Sequence, residues 1–137
     1  MRRTVAVVAD SSALTTYARL DGLAFGELLA EIEDDPEGLV MGVPVSAFLD
    51  AYQQLDPDDR ERLVVLVADP DRATVVLPLS AGNMLDVLTY PALLPAAQCM
   101  ADAMTYRAAI ATYGGEVYRE HLPENLRDDL VLELIEP

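Results

Sequence analysis

Short runs of β-branched and aliphatic residues alternate with longer stretches whose apolar residues recur at helical spacing. That alternation restricts the chain to an α/β fold with a mainly parallel sheet. The runs are Thr4–Ala9, Leu39–Val43, Ala73–Leu77, Ala108–Thr112 and Leu130–Ile135. The first, TVAVVA, shows no apolar/polar alternation, as expected of a strand covered on both faces. A three-layer sandwich around a five-stranded sheet is therefore predicted. No Pro/Ser/Gly linker, repeat or low-complexity stretch interrupts the pattern, so residues 1–137 read as one domain.

Between the runs, Leu23, Leu28, Leu29 and Ile32 make an apolar stripe through a helix over Gly22–Asp34. Asp34-Asp35-Pro36-Glu37-Gly38 then reads as a turn. Pro44 stands where the first position of the next helix belongs, with Val45, Phe48, Leu49 and Tyr52 as its apolar face. Further helices are predicted over Arg60–Asp69, from Ser80 to Thr89 with Met84, Leu85 and Leu88 inward, and from Leu94 to Tyr106. The last is rich in Ala and Met, which suits close helix packing. Gly114-Gly115 reads as a flexible break.

Composition narrows the chemistry. The 137 residues include 24 acidic and 9 basic side chains, a formal charge of -15, while 52% are hydrophobic, which excludes a disordered acidic tail. All the basic residues are arginine, so P-loop and Schiff-base lysine chemistry are excluded. One cysteine, Cys99, and one histidine, His121, cannot build an internal disulfide or a thiol- and imidazole-rich zinc site. No apolar run reaches the roughly 18–20 residues of a membrane span, and the TVAVVA stretch ends too early for a signal peptide. A cytoplasmic location is expected. The acidic balance argues against gripping long nucleic acid through the overall field and suits a hard cation or a basic protein partner.

In folds of this class ligands gather at the carboxyl ends of the strands. Asp10 closes the most apolar strand, where it is placed either as a metal ligand or as the N-cap of a helix starting Ser11-Ser12-Ala13-Leu14. Asp50 lies off the apolar stripe of its helix, so a plain solvent-facing aspartate is the other reading. The run Glu31-Glu33-Asp34-Asp35-Glu37 reads as a solvated helix end, and Asp56, Asp58 and Asp59 as first-turn charges. Cys99 reads as core, His121 as surface, and Tyr106, Tyr113 and Tyr118 as packing or interface residues.

The segment Val7-Val8-Ala9-Asp10-Ser11-Ser12-Ala13-Leu14 resembles the opening strand and aspartate of PIN domains, the nuclease fold used by VapC-type toxins. The likeness continues through Val43-Pro44-Val45-Ser46-Ala47-Phe48-Leu49-Asp50-Ala51-Tyr52, where Asp50 falls at the family's glutamate. It extends through Val75–Leu79 and through Ala97 to Thr112. What the resemblance implies is RNA cleavage assisted by Mg²⁺ or Mn²⁺, with Asp10 and Asp50 as metal-holding and catalytic carboxylates. It also implies single-stranded RNA as substrate and a small basic antitoxin that lays a basic side chain into the acidic site. A homodimer through the helices after the first and second strands completes the set.

The family's remaining acids are missing here. Ala96 stands at the third position and Gly114 at the fourth. Asp102 is turned by about 240° and lies about 9 Å further along its helix, so it faces elsewhere. Asp86 and Glu116 have no required spacing, and Gln98 could offer a neutral amide oxygen. Two functions are therefore set side by side: a metal-dependent ribonuclease weakened at its acidic site, and a PIN-like module that acts through a protein partner. A receiver-like domain is disfavoured by the absent lysine and by the lack of an aspartate at the end of the third strand.

Overall fold

The computed structural model describes residues 4–137. In order, the chain forms β1 (Thr4–Ala9), α1 (Ser11–Ala18), α2 (Ala24–Glu33), β2 (Leu39–Pro44), α3 (Val45–Gln54), α4 (Pro57–Ala68) and β3 (Thr74–Leu77). It continues with α5 (Met84–Leu88), α6 (Leu94–Tyr106), β4 (Ala109–Thr112), α7 (Glu116–His121), α8 (Arg127–Leu130) and β5 (Val131–Glu133). The strands make one sheet in the order β3-β2-β1-β4-β5, and every neighbouring pair is parallel. Among the described residues no helix is long and apolar enough to cross a membrane.

β1 is the central strand, and its burial deepens toward its carboxyl end: Val7, Val8 and Ala9 are all within the core. The register between β1 and β2 shifts between Val5 and Val7. On β2, a Cβ at Gly42 would come within 2.7 Å of Leu77 Cδ1 and 3.0 Å of Val5 Cγ1, so a larger residue there would push the Leu77 side chain aside.

Two helices turn a different face inward from the one their apolar spacing indicates. On α3 the buried residues are Ser46, Ala47 and Ala51, while Leu49 is 53% exposed and Phe48 is half-buried. The reason is proximity. α1 and α6 both pack against α3, and the residues α3 buries there, Ser46, Ala47 and Ala51, are small, with Ser46 bonded to Gln98 of α6. The displaced aromatics are used at the surface: Phe48 and Tyr52 stack with centroids 6.2 Å apart, and the Arg60 guanidinium lies 4.7 Å over the Tyr52 ring. On α5, Met84, Leu85 and Leu88 face outward, with Leu85 77% and Leu88 69% exposed, and Val87 alone is buried. The helix spans only five residues, so it has a single inward position, which Val87 takes against Ala97 and Ala101. α7 and α8 occupy the stretch after Gly114-Gly115 that the sequence leaves as a flexible break.

Candidate functional site

Strand order fixes where a site can form. From β1 the chain builds β2 and β3 on one side of the sheet, then crosses back to lay β4 and β5 on the other. The crevice between the carboxyl ends of β1 and β4 is the topological switch point. Asp10 follows β1 directly and Thr112 ends β4.

Asp10 is the N-cap of α1. Its backbone is extended, and its Oδ1 accepts the Ala13 N–H at 3.0 Å and the Ser12 hydroxyl at 2.7 Å. Ser12 in turn accepts the Tyr113 N–H at 3.0 Å and lies 3.3 Å from Thr112 Oγ1, which accepts the Gly114 N–H at 3.0 Å. The other oxygen, Oδ2, accepts the Tyr118 hydroxyl at 2.7 Å. Asp10 is 5% exposed, and both of its oxygens are thus engaged by neutral donors from α1 and α7.

Tyr118 and Cys99 lie inside the core beside this carboxylate. Burial, reinforced by Cys99 and by the charge of Asp10, pushes the Tyr118 hydroxyl far above the ordinary tyrosine range. Burial also raises the Cys99 thiol, with the charges of Asp10 and Asp102 adding to the effect, so it is a neutral core thiol.

Asp102 is 3% exposed and its Oδ2 has no hydrogen-bond partner. Burial raises its carboxyl from 3.8 to about 6, against a smaller lowering by Gln98. The folded chain therefore holds this proton better than the unfolded chain. The resulting stabilisation is complete below about 3.8 and is lost as pH rises through about 6. Asp102→Asn is expected to raise the thermal midpoint at pH 7.5, by about 1–2 kcal/mol in stability, and to raise it by less at pH 4.5. Melting curves of both proteins at the two pH values check this.

Asp50 is half-buried on α3, and its Oδ2 accepts from the Ser11 hydroxyl and from Gln54 Nε2, the latter at 2.9 Å. Ser11 immediately follows Asp10, so the two carboxylates stand at neighbouring points of the rim. Their donors are nonetheless different, and no hydrogen-bond partner is common to both.

Gln98 is fully buried and already committed. Its Oε1 accepts from the Ser46 N–H at 3.0 Å and from the Ser46 hydroxyl, and its Nε2 donates to Leu77 O at 3.0 Å. Ala96 and Gly114 have no side-chain oxygen or nitrogen, and Asp86 and Glu116 are exposed on α5 and α7. Among the described residues no three His, Cys, Asp or Glu side chains converge on one point.

A divalent ion needs several oxygen ligands with lone pairs free toward it. Here both oxygens of Asp10 and Oδ2 of Asp50 already accept from protein donors, no third acid among the described residues converges on them, and Gln98 braces the fold. The residues present do not fit Mg²⁺ or Mn²⁺ at this position. Sequence reasoning treats Tyr118 as a packing or interface residue. The one local signal for its helix is the pair Arg119 and His121, well placed at the end of a helical turn. Its reach to a side chain 108 residues earlier is a tertiary fact.

No family model matches the sequence, and no curated protein is similar to it. A solved structure does match: a chain of VapBC2 from Rickettsia felis, bound to a DNA fragment from their promoter. It aligns with a TM-score of 0.62 and 10% identity, over 94% of this chain and 98% of that one. The overlap takes in nearly the whole of both chains, so the likeness is one of the complete fold, the five-stranded parallel sheet with its helices. The chain has the PIN-type α/β fold of VapC toxins.

Proposed function

We propose that this chain is a PIN-fold protein of the toxin–antitoxin type that works by binding a basic protein partner, with metal-dependent ribonuclease activity lost or reduced by orders of magnitude. The observation that carries this reading is the state of Asp10: the carboxylate the fold would offer to a cation is closed by Ser12, Ala13 and Tyr118. With Ala96 and Gly114 in place of acids, little charge remains to hold an ion, and loss of one essential group already costs orders of magnitude in rate. The charge of -15 favours a partner rich in arginine and lysine, recruited by long-range attraction that salt weakens.

The test has two arms. Labelled single-stranded RNA with Mn²⁺ or Mg²⁺ is expected to stay intact with the wild-type protein, as it does with Asp10→Asn. A small basic protein encoded by the same host is expected to co-purify at low salt and to dissociate at high salt. Metal-dependent cutting that Asp10→Asn abolishes would restore the ribonuclease reading, with Asp10 and Asp50 as its carboxylates.

The chain is also proposed to pair with a second copy. Between residues 73 and 106 the only charged side chains are Asp86 and Asp102, and Asp102 is buried. That stretch carries the outward Leu85, Leu88 and Leu93, each at least 69% exposed, on α5 and at the start of α6. A neutral apolar surface on an otherwise strongly acidic protein lets two copies meet without opposing their charges. The exposed leucines favour the helices after the third strand for this proposed contact, where the resemblance implies those after the first and second. Leu88→Asp is expected to convert a dimer to a monomer in sedimentation equilibrium.

A further inference from the structure

We propose that the cavity beside the end of α6 binds a free aliphatic α-amino acid through Arg107 and Asp129. The cavity measures about 470 Å³, within the range of small-molecule sites, and is lined by Ala103, Met104, Arg107, Leu126, Asp129 and Leu130. Arg107 lies between α6 and β4, and Leu130 leads directly into β5. The cavity therefore sits at the amino ends of these two strands. Asp10 belongs to the rim at the opposite end of the parallel sheet, so the two places share no residue.

The lining offers an apolar wall and two opposite charges. Ala103 and Leu130 are buried and, with Met104 and Leu126, supply the wall. Arg107 and Asp129 are both exposed, and they line the same cavity without pairing with each other. The ion pairs among the described residues are Arg62–Asp59, Arg72–Glu33 and Arg119–Glu133. An α-amino acid carries the complementary charges on one carbon: its carboxylate suits the guanidinium fork and its ammonium suits the aspartate. A simple anion would meet Asp129 and the net charge of -15, and a simple cation would meet Arg107. A zwitterion avoids both repulsions. The backbone of Arg107 adds an independent observation. At the end of α6 it is left-handed, with φ 52° and ψ 47°, a conformation that favours glycine. Arginine there keeps a charge on the cavity at a conformational cost.

The experiment titrates the protein with L-leucine and follows its backbone amide signals. Those of Met104, Arg107, Asp129 and Leu130 are expected to shift together and to saturate with a Kd on the order of 1 mM or tighter. Isocaproate, which lacks the ammonium, and isopentylamine, which lacks the carboxylate, are expected to bind about tenfold more weakly or worse. Arg107→Gly is expected to keep or raise the thermal midpoint, because glycine suits that backbone, while losing the response to L-leucine. Asp129→Asn is expected to weaken binding of L-leucine and to leave that of isocaproate no weaker. The absence of a saturable shift with L-leucine overturns the proposal. So does an undiminished response in Arg107→Gly or in Asp129→Asn, and so does either analogue binding as tightly as L-leucine.

Discussion

Asp10→Ala is expected to destabilise the protein by about 3 kcal/mol, although Asp10 is the residue that in a working nuclease would be spent on catalysis. The loss has two sources. α1 gives up its capping acceptor, which costs about 1 kcal/mol. The Tyr118 hydroxyl, 3% exposed as part of its residue, is left without an acceptor, which costs a further 1–3 kcal/mol, approximately. Asp50→Ala is the contrast. Its partners Ser11 and Gln54 lie where water can replace it, so a change within about 1 kcal/mol is expected. Urea denaturation of the two variants decides the matter, since a metal-holding pair in mutual repulsion would instead be stabilised by either substitution. Equal losses, or a gain from Asp10→Ala, would contradict the structural role assigned here.

Gln98→Leu is expected to cost at least as much, about 3–4 kcal/mol, while nearly preserving volume. The amide joins three elements: Oε1 receives the N–H and hydroxyl of Ser46 at the start of α3, and Nε2 serves Leu77 O at the end of β3. Leucine leaves a buried N–H and a buried carbonyl unpaired, each worth about 1–3 kcal/mol. Gln98→Glu keeps the acceptor for Ser46 but turns a carboxylate oxygen toward Leu77 O, so it is expected to rescue little at pH 8 and more at acid pH, where the carboxyl can donate. A rescue independent of pH would show that the Leu77 bond is unimportant. These bonds also explain why the amide oxygen, which by sequence could serve a cation, is not available to one.

The strands were legible because a parallel strand covered on both faces has to be apolar throughout, and Thr4–Ala9, Leu39–Val43 and Ala73–Leu77 agree with β1, β2 and β3 to within a residue or two. Helix faces were less legible. Apolar spacing identifies a stripe but not its partner, and on α3 the alanines opposite α1 and α6 outrank Leu49 and Tyr52 because close approach needs small side chains. On α5 the outward leucines follow from brevity, since a helix of five residues cannot bury a full stripe. At the site, the resemblance sets Ala96 and Gly114 where the family carries acids, and the residues around Asp10 left both of its possible roles open. The capping role is the one the backbone geometry displays. What could not be read was α7, whose importance lies in one hydroxyl meeting one carboxylate across the fold.

The most direct measurement is a crystal structure of the wild-type protein soaked in Mn²⁺, with anomalous scattering recorded. This account expects no anomalous peak at the rim between Asp10 and Asp50, and a Tyr118 hydroxyl still 2.7 Å from Asp10 Oδ2. A peak about 2.2 Å from an Asp10 oxygen, with the Tyr118 hydroxyl displaced from it, would contradict the account.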